Sequence, residues 1–555
     1  MTIADVSSRS AGQDALQKES PRPGDDASPR PELPDDEESV TAAESDTALE
    51  QSTSSNGYTY GTVAQPPSPP PKLVDDDAPP TPPTTIPATR ALAPDLLRGL
   101  LMAFMAMDHN VIALNAWPHG TVADGTEADA NPVRRWNRPI GYAIRSLSHL
   151  CAPGFAFLLG MGVVYFCRSR ARLGWSPARM AGHFAARAAV LTAVSSALGL
   201  VMSGGQVWLQ NLVLVALAVD YLLVGLLWLA VARTEPALAS VLDRLFLVAH
   251  GRERTPLLVH TGHPSASGSK ASVRAQSMSW HAHNALLLVL TFVTIWWNIW
   301  LSPTHGACTT TSSSPSSTAN DFWRFWFYEV ESPHVMSTFP PLAWLSFAVL
   351  GLLYGRVVLS HPHLRPATLS AGNAAAGLVF AALFVLTRVL RVGNLSEGCL
   401  HTPDQAALGP GANPYLASVA SFFYVVKYPP DVAFFAYSLA ATFFLLAALG
   451  SVPPRLATLR RFGGGVLLAY GTSALFFYVV HLVLIFALAG NVVIPLFGRE
   501  TGRPPPVEGW PTVGVDNLLV YWASWAVVMA VMYPLCRWYS AFKKTTSADS
   551  VWRFF

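Results

Sequence analysis

Seven ionisable side chains fall inside stretches otherwise apolar enough to cross a bilayer: Asp95, Arg98, Asp108 and His109 in DLLRGLLMAFMAMDHN, Arg145 and His149 in RSLSHLCAPG, and His481 in YVVHLVLIF. Such groups cost about 3 kcal/mol each on insertion scales, so they face a protein interior and mark a pathway or a reaction site. A neutral imidazole takes a proton or carries a transferred group near neutral pH, whereas an arginine keeps its proton and suits an anion.

At 100° per residue, Asp95, Arg98 and His109 lie within about 60° of one another on a helix, and Asp108 is turned about 100° from His109. Arg145 and His149, four residues apart, share a face. Plainer roles compete with chemistry: a structural ion pair for Asp95 and Arg98, a hydrogen-bonded packing residue for His481, a helix-end residue for Asp108.

The elements that must position these residues follow from composition. Of 555 residues 51% are hydrophobic and 13% charged, with a mean hydropathy of +0.32. Residues 1–90 run against that trend, with 16 Asp or Glu against 6 Lys or Arg and the runs PPSPPP and APPTPPTTIP. This tail reads as disordered, because it has too little apolar surface to offset its ordering entropy. Its charge of about −10 argues against docking on an anionic leaflet. No apolar segment with a small-residue cleavage site opens the chain, so the first span is expected to direct insertion. Five cysteines are too few and scattered for a disulfide scaffold or zinc cluster. Basic residues dispersed between spans argue against nucleic acid as a partner.

Ten apolar stretches approach bilayer length, at about 93–116, 140–167, 181–203, 206–231, 283–301, 339–358, 370–390, 430–450, 466–490 and 516–538. The expected fold is therefore all-α, a polytopic transmembrane bundle over 91–541 with a short tail at 542–555 and the lipid bilayer as its partner. Residues 233–282 read as a polar loop, with His281 and His283 at its end and in the cytoplasmic loop region. The loops after even-numbered spans, with the C-terminal tail, hold about 19 basic residues against about 9 in the alternate loops, which places both termini in the cytoplasm. Two features agree with that sidedness. The sequon Asn394-Leu395-Ser396 falls in a loop on the lumenal or exterior side, as a glycosylation candidate. Cys308 and Cys399, the cysteines outside spans, fall there too and suit a disulfide. On this topology His109, about 24 Å along the first span, shares a lumen-facing layer with Arg145, His149 and His481.

RALAPDLLRGLLMAFMAMDHN and, after a polar loop, RSLSHLCAPGFAFLLGMGVVYF resemble the catalytic-domain signature of the heparan-alpha-glucosaminide N-acetyltransferase family and its bacterial relatives. FPPLAWLSFAVLGLLYGR, VVKYPPDVAFFAYSLAATFFLLA and YGTSALFFYVVHLVLIFALA resemble later blocks in the same order, so the likeness spans most of residues 90–490. The resemblance implies transfer of an acetyl group from cytoplasmic acetyl-CoA to a saccharide amine across a membrane of lysosome or vacuole type, or else across the plasma membrane. It also implies a lumen-side histidine. In the family that histidine belongs to the loop between the first two blocks, where this chain offers His119; His109 and His149 fit a pattern closer to the bacterial relatives.

Acyl transfer to an amine needs a base, a donor for the oxyanion and an optional nucleophile, and a thioester requires no metal. The candidates are His109 and His149 level, then His119 and His481, with Arg145 for an anion and Asp108 beside them. Acetyl-CoA phosphates need donors at the cytoplasmic face, where Arg98, Arg168 and Arg170 stand near Asp95, although such arginines more commonly serve the positive-inside signal. A proton-coupled transporter of a sugar or polar lipid is the alternative, since a path lined by His, Arg and Asp suits it as well. A non-catalytic membrane scaffold is a third.

Overall fold

The computed structural model describes residues 92–211, 213–251, 266–308, 321–332, 334–453, 464–503, 512–547 and 550–554. The tail expected over 1–90 lies outside them. Among the described residues ten helices are long and apolar enough to cross a membrane.

The first is α1 (Leu92–Ala113), built from the strong helix formers Leu, Met and Ala. It stops where Asn115 takes the left-handed conformation, at φ 44°. The second span is two helices, α2 (Pro139–Ser148) and α3 (Cys151–Arg172), where the sequence suggested one. Pro153 has no N–H to offer the carbonyl of His149, so the helical ladder is interrupted there. Then come α4 (Pro177–Met202), α5 (Leu214–Gly251), α6 (Ala266–Leu301), α7 (Leu345–Ser360), α8 (Pro366–Leu390) and α9 (Val432–Gly450). The ninth span is again broken, into α10 (Gly464–Thr472) and α11 (Ala474–Leu488), and α12 (Leu518–Thr545) closes the series.

The polar loop expected over 233–282 is largely helical. Both α5 and α6 run past their apolar stretches, and His281 and His283 lie on α6. Arg356 of α7 accounts for part of this extension, donating to Glu235 of α5 at 2.7 Å and to Asn284 of α6 at 2.9 Å.

Close approach between spans depends on four glycines. A Cβ on Gly160 of α3 would sit 1.9 Å from the Ala348 carbonyl oxygen of α7, and one on Gly351 would sit 2.0 Å from that of Phe157. Likewise a Cβ on Gly99 of α1 would meet the Leu467 oxygen of α10 at 1.9 Å, and one on Gly471 the Asp95 oxygen at 2.0 Å. Small residues thus let backbones touch where no hydrophobic force separates helix from lipid.

The two ends of the bundle differ. At the terminal face, where α1 begins and α12 ends, connections between spans are short or lie outside the described residues. At the opposite, cap face the loops 114–138 and 391–431 interlock around a second small core of Val122, Val133, Leu395, Leu400, Tyr415, Tyr424 and Val426, and residues 302–308 join them where Gly398 N donates to the Gly306 carbonyl at 2.9 Å. Val133 bridges Leu400 and Ala128 bridges Tyr428. A three-stranded sheet joins this face, with β1 (Leu209–Asn211) parallel to β3 (Val335–Ser337) and β2 (Val330–Glu331) antiparallel to β3. Cys308 and Cys399 are joined in a disulfide with Cα atoms 4.9 Å apart.

Asn394 corrects one expectation. Its amide nitrogen, the atom a glycan would occupy, donates to the Thr387 carbonyl at 2.9 Å, and its oxygen accepts from Arg388 at 2.6 Å. With only 8% of the residue exposed, the folded chain has no room for a glycan there, and the sequon serves as a bracket for the buried Arg388.

Candidate functional site

Directly beneath the cap, Arg145 organises a buried polar cluster. The α2 helix carries it inward to 3% exposure, where its Nη1 donates to Asp108 at 2.7 Å and to His119 Nε2 at 2.8 Å. Its other edge donates to Glu127, from Nη2 at 2.9 Å and from Nε at 3.2 Å, and Nη2 reaches the Tyr428 hydroxyl at 3.3 Å. One guanidinium thus holds two carboxylates, an imidazole and a phenol, the fork geometry a lysine does not offer.

Each partner is delivered by a different part of the fold. Asp108 and His109 come from the last turns of α1, which α12 pins: the Tyr521 hydroxyl donates to the Met107 carbonyl at 2.8 Å, and Asn110 donates to that of Tyr521 at 3.0 Å. His119 and Glu127 come from the loop after α1. The Glu127 side chain accepts from Thr121 N at 2.6 Å, and its backbone carbonyl accepts from Lys427 N at 2.8 Å and Tyr428 N at 3.1 Å. This zipper brings in Lys427, 5% exposed, whose ammonium lies 5.1 Å from the ring centroids of both Phe339 and Tyr428. Arg145 and Lys427 balance Asp108 and Glu127, as burial of charge requires.

The histidines separate by environment. His149, 1% exposed, has Nε2 3.5 Å from Glu127 Oε1 and its ring edge-on to Phe434. It is walled in and suits support of Glu127. His119 Nε2 receives the Arg145 hydrogen, so its lone pair is already occupied. Burial, and then the adjacent Arg145, push this imidazole down to about 4. Burial alone would raise the Glu127 carboxyl; Arg145 against it outweighs that and leaves it well below the usual range. His109 is the contrasting case, half-buried and with Nδ1 2.8 Å from Nε2 of the fully buried His481.

Sequence spacing thus anticipated that Arg145, His109, His149 and His481 meet in one layer. Asp108 is no mere helix-end residue, since the twist that turns it from His109 aims it at Arg145. Glu127, Lys427 and Tyr428 were missed. Glu127 sits among the equally acidic Asp124 and Asp129 in a loop without periodicity, and only the lone lysine in FFYVVKYPPD carried a signal.

A second feature occupies the terminal face. A cavity of about 790 Å³ is lined by Arg170, Arg179, Arg187, Lys543, Lys544 and Arg553, with no acidic side chain among the described residues of its wall. Aromatic faces alternate with these cations: Arg170 stands 4.8 Å and Arg179 4.1 Å over the Trp175 ring. Thr472 and Ser540 line the same cavity and bond each other at 2.9 Å. Of the arginines expected to hold phosphates, only Arg170 lines it. Arg168 donates to the Leu359 carbonyl at 2.9 Å, and Arg98 pairs with Asp95 at 2.8 Å while reaching the Gly471 carbonyl at 3.4 Å. No family model and no curated protein matches the chain.

Proposed function

We propose that the chain is a membrane-bound acyltransferase that takes an acetyl group from acetyl-CoA at the terminal face and passes it to an acceptor at the cap face. The resemblance to the heparan-alpha-glucosaminide N-acetyltransferase family implies an amino sugar as that acceptor. What carries the reading is the alignment of two sites along one span. Thr472 lines the basic cavity at the end of α10, and His481 stands in α11 beyond the break, seven residues or about 10 Å of helix rise past Ala474 toward the cap. Six cations and the Trp175 ring suit the phosphates and adenine of a coenzyme A, and the span beyond suits its pantetheine arm.

At the cap end His109 acts as base. The acceptor amine attacks the thioester carbonyl, the N–C bond forms, the C–S bond breaks, and the amine proton passes to His109 while the thiolate departs toward the cavity. Lys427 supplies positive charge for the oxyanion of the tetrahedral intermediate. Asp108 and Glu127 lock Arg145, and Arg145 fixes the floor beneath His109. The terminal face is then the cytoplasmic one, as positive charge there favours, and the disulfide side is the oxidising one.

Sealed vesicles of known orientation, given labelled acetyl-CoA outside and glucosamine inside, test this. Label on enclosed glucosamine with wild-type protein, and none with His109→Ala, is the expected result. Movement of glucosamine without acetylation would replace the reading by transport.

A further inference from the structure

Resting on the reading of His109 as the base, we infer that His481 is a positioning residue that sets the tautomer of His109, leaving His109 Nε2 as the one ring nitrogen with a free lone pair. A proton count along a single hydrogen-bonded line leads there. The Phe477 carbonyl, 2.8 Å from His481 Nδ1, only accepts, so that nitrogen carries a hydrogen. A neutral His481 then has a bare lone pair on Nε2. His109 Nδ1 lies 2.8 Å from it and must donate. The hydrogen of His109 is thereby fixed on Nδ1.

Ring geometry fits the same line. The two imidazole planes are 15° apart with centroids separated by 5.1 Å, too far for faces in contact and right for two rings meeting through their nitrogens. Phe477, with its centroid 5.0 Å from that of His481, holds the second ring in place. The opposite polarity would need a doubly protonated His481. That ring is fully buried, and no carboxylate among the described residues pairs with it, so an imidazolium there has no counter-charge. His481 does for His109 what a buried carboxylate does in other catalytic pairs, without adding a charge.

The full chain in lipid nanodiscs, labelled with nitrogen-15 histidine, tests this by solid-state NMR, with the His109 signals identified by their loss in His109→Asn. Wild type and His481→Gln, whose amide oxygen still accepts, should show His109 protonated at Nδ1. His481→Phe and His481→Leu remove the acceptor and should move the hydrogen toward Nε2. In parallel kcat should fall about 100-fold in the apolar variants, with KM for acetyl-CoA and acceptor unchanged and most of the rate restored in His481→Gln. His109 signals that stay the same in a folded apolar variant would overturn the inference, as would His481→Gln matching the apolar variants in both signals and rate. The spectra need no turnover. A wild-type chain that acetylates nothing therefore sinks the acyltransferase reading alone, while the tautomer assignment still stands or falls on its own signals.

Discussion

Arg145 is the side chain on which most of the polar cluster depends, and its substitution separates charge from geometry. Arg145→Leu strands Asp108 and Glu127 without their counter-ion and should cost about 3–5 kcal/mol of stability, read as a lower unfolding midpoint in detergent. Arg145→Lys keeps the charge but not the fork, so it should recover part of the stability and little of the activity. His119 makes a prediction in pH. The unfolded chain takes up that proton near 6.5 and the folded chain refuses it until about 4, so acidification through this window favours unfolding. The contribution is complete above 6.5 and lost toward 4. Unfolding midpoints of wild type and His119→Gln should therefore converge or cross as pH falls through that range, and parallel curves would count against a neutral, half-buried His119. At this scale the sequence was informative where a side chain was out of character with its span, as His109, Arg145 and His481 are. It was silent on Glu127, because an acid in a polar loop stands out only once the loop folds under the cap.

Helices and their interruptions set where those residues stand. The ten apolar runs were legible because a span must satisfy its own backbone over bilayer length. Two breaks were not. Hydropathy passes smoothly through His149 and through Ser473, although Pro153 offered a local reason for the first. The extended ends of α5 and α6 were hidden for the converse reason: polar residues outside the bilayer remain helical when partners such as Arg356 hold them. Glycine contacts give this scale its test. Gly351→Val drives a side chain into the Phe157 carbonyl and should cost about 2–3 kcal/mol. Gly162→Ala on the neighbouring helix meets nothing within 4 Å and should be neutral or slightly stabilising. Thermal unfolding of the two variants side by side checks the pair.

Seen whole, the protein is a bundle with a basic, aromatic cavity at one end and a charge-balanced, histidine-rich cluster under a cap at the other. Sidedness is open to a chemical test through Cys308 and Cys399. After mild reduction, an impermeant thiol reagent should label them only from the lumenal or exterior side, and labelling from the cytoplasmic side would reverse the orientation proposed above. Closing this bridge over a sequence separation of 91 residues is worth about 4.6 kcal/mol in the chain-entropy description. The loss should fall on the cap: Cys308→Ser should speed proteolysis within the loops while the spans stay protected.

That bridge also links site assembly to the order of events in biosynthesis. Beside Cys399, whose own carbonyl accepts from Val133 N at 2.8 Å, His401 N bonds back to Val133 at 2.9 Å. Val133 belongs to the same loop that presents Glu127 to Arg145. A newly inserted chain held under reducing conditions would have its spans in place and its polar cluster unassembled. Assembly of the cap, and with it of the polar cluster beneath, would then depend on oxidation of Cys308 and Cys399.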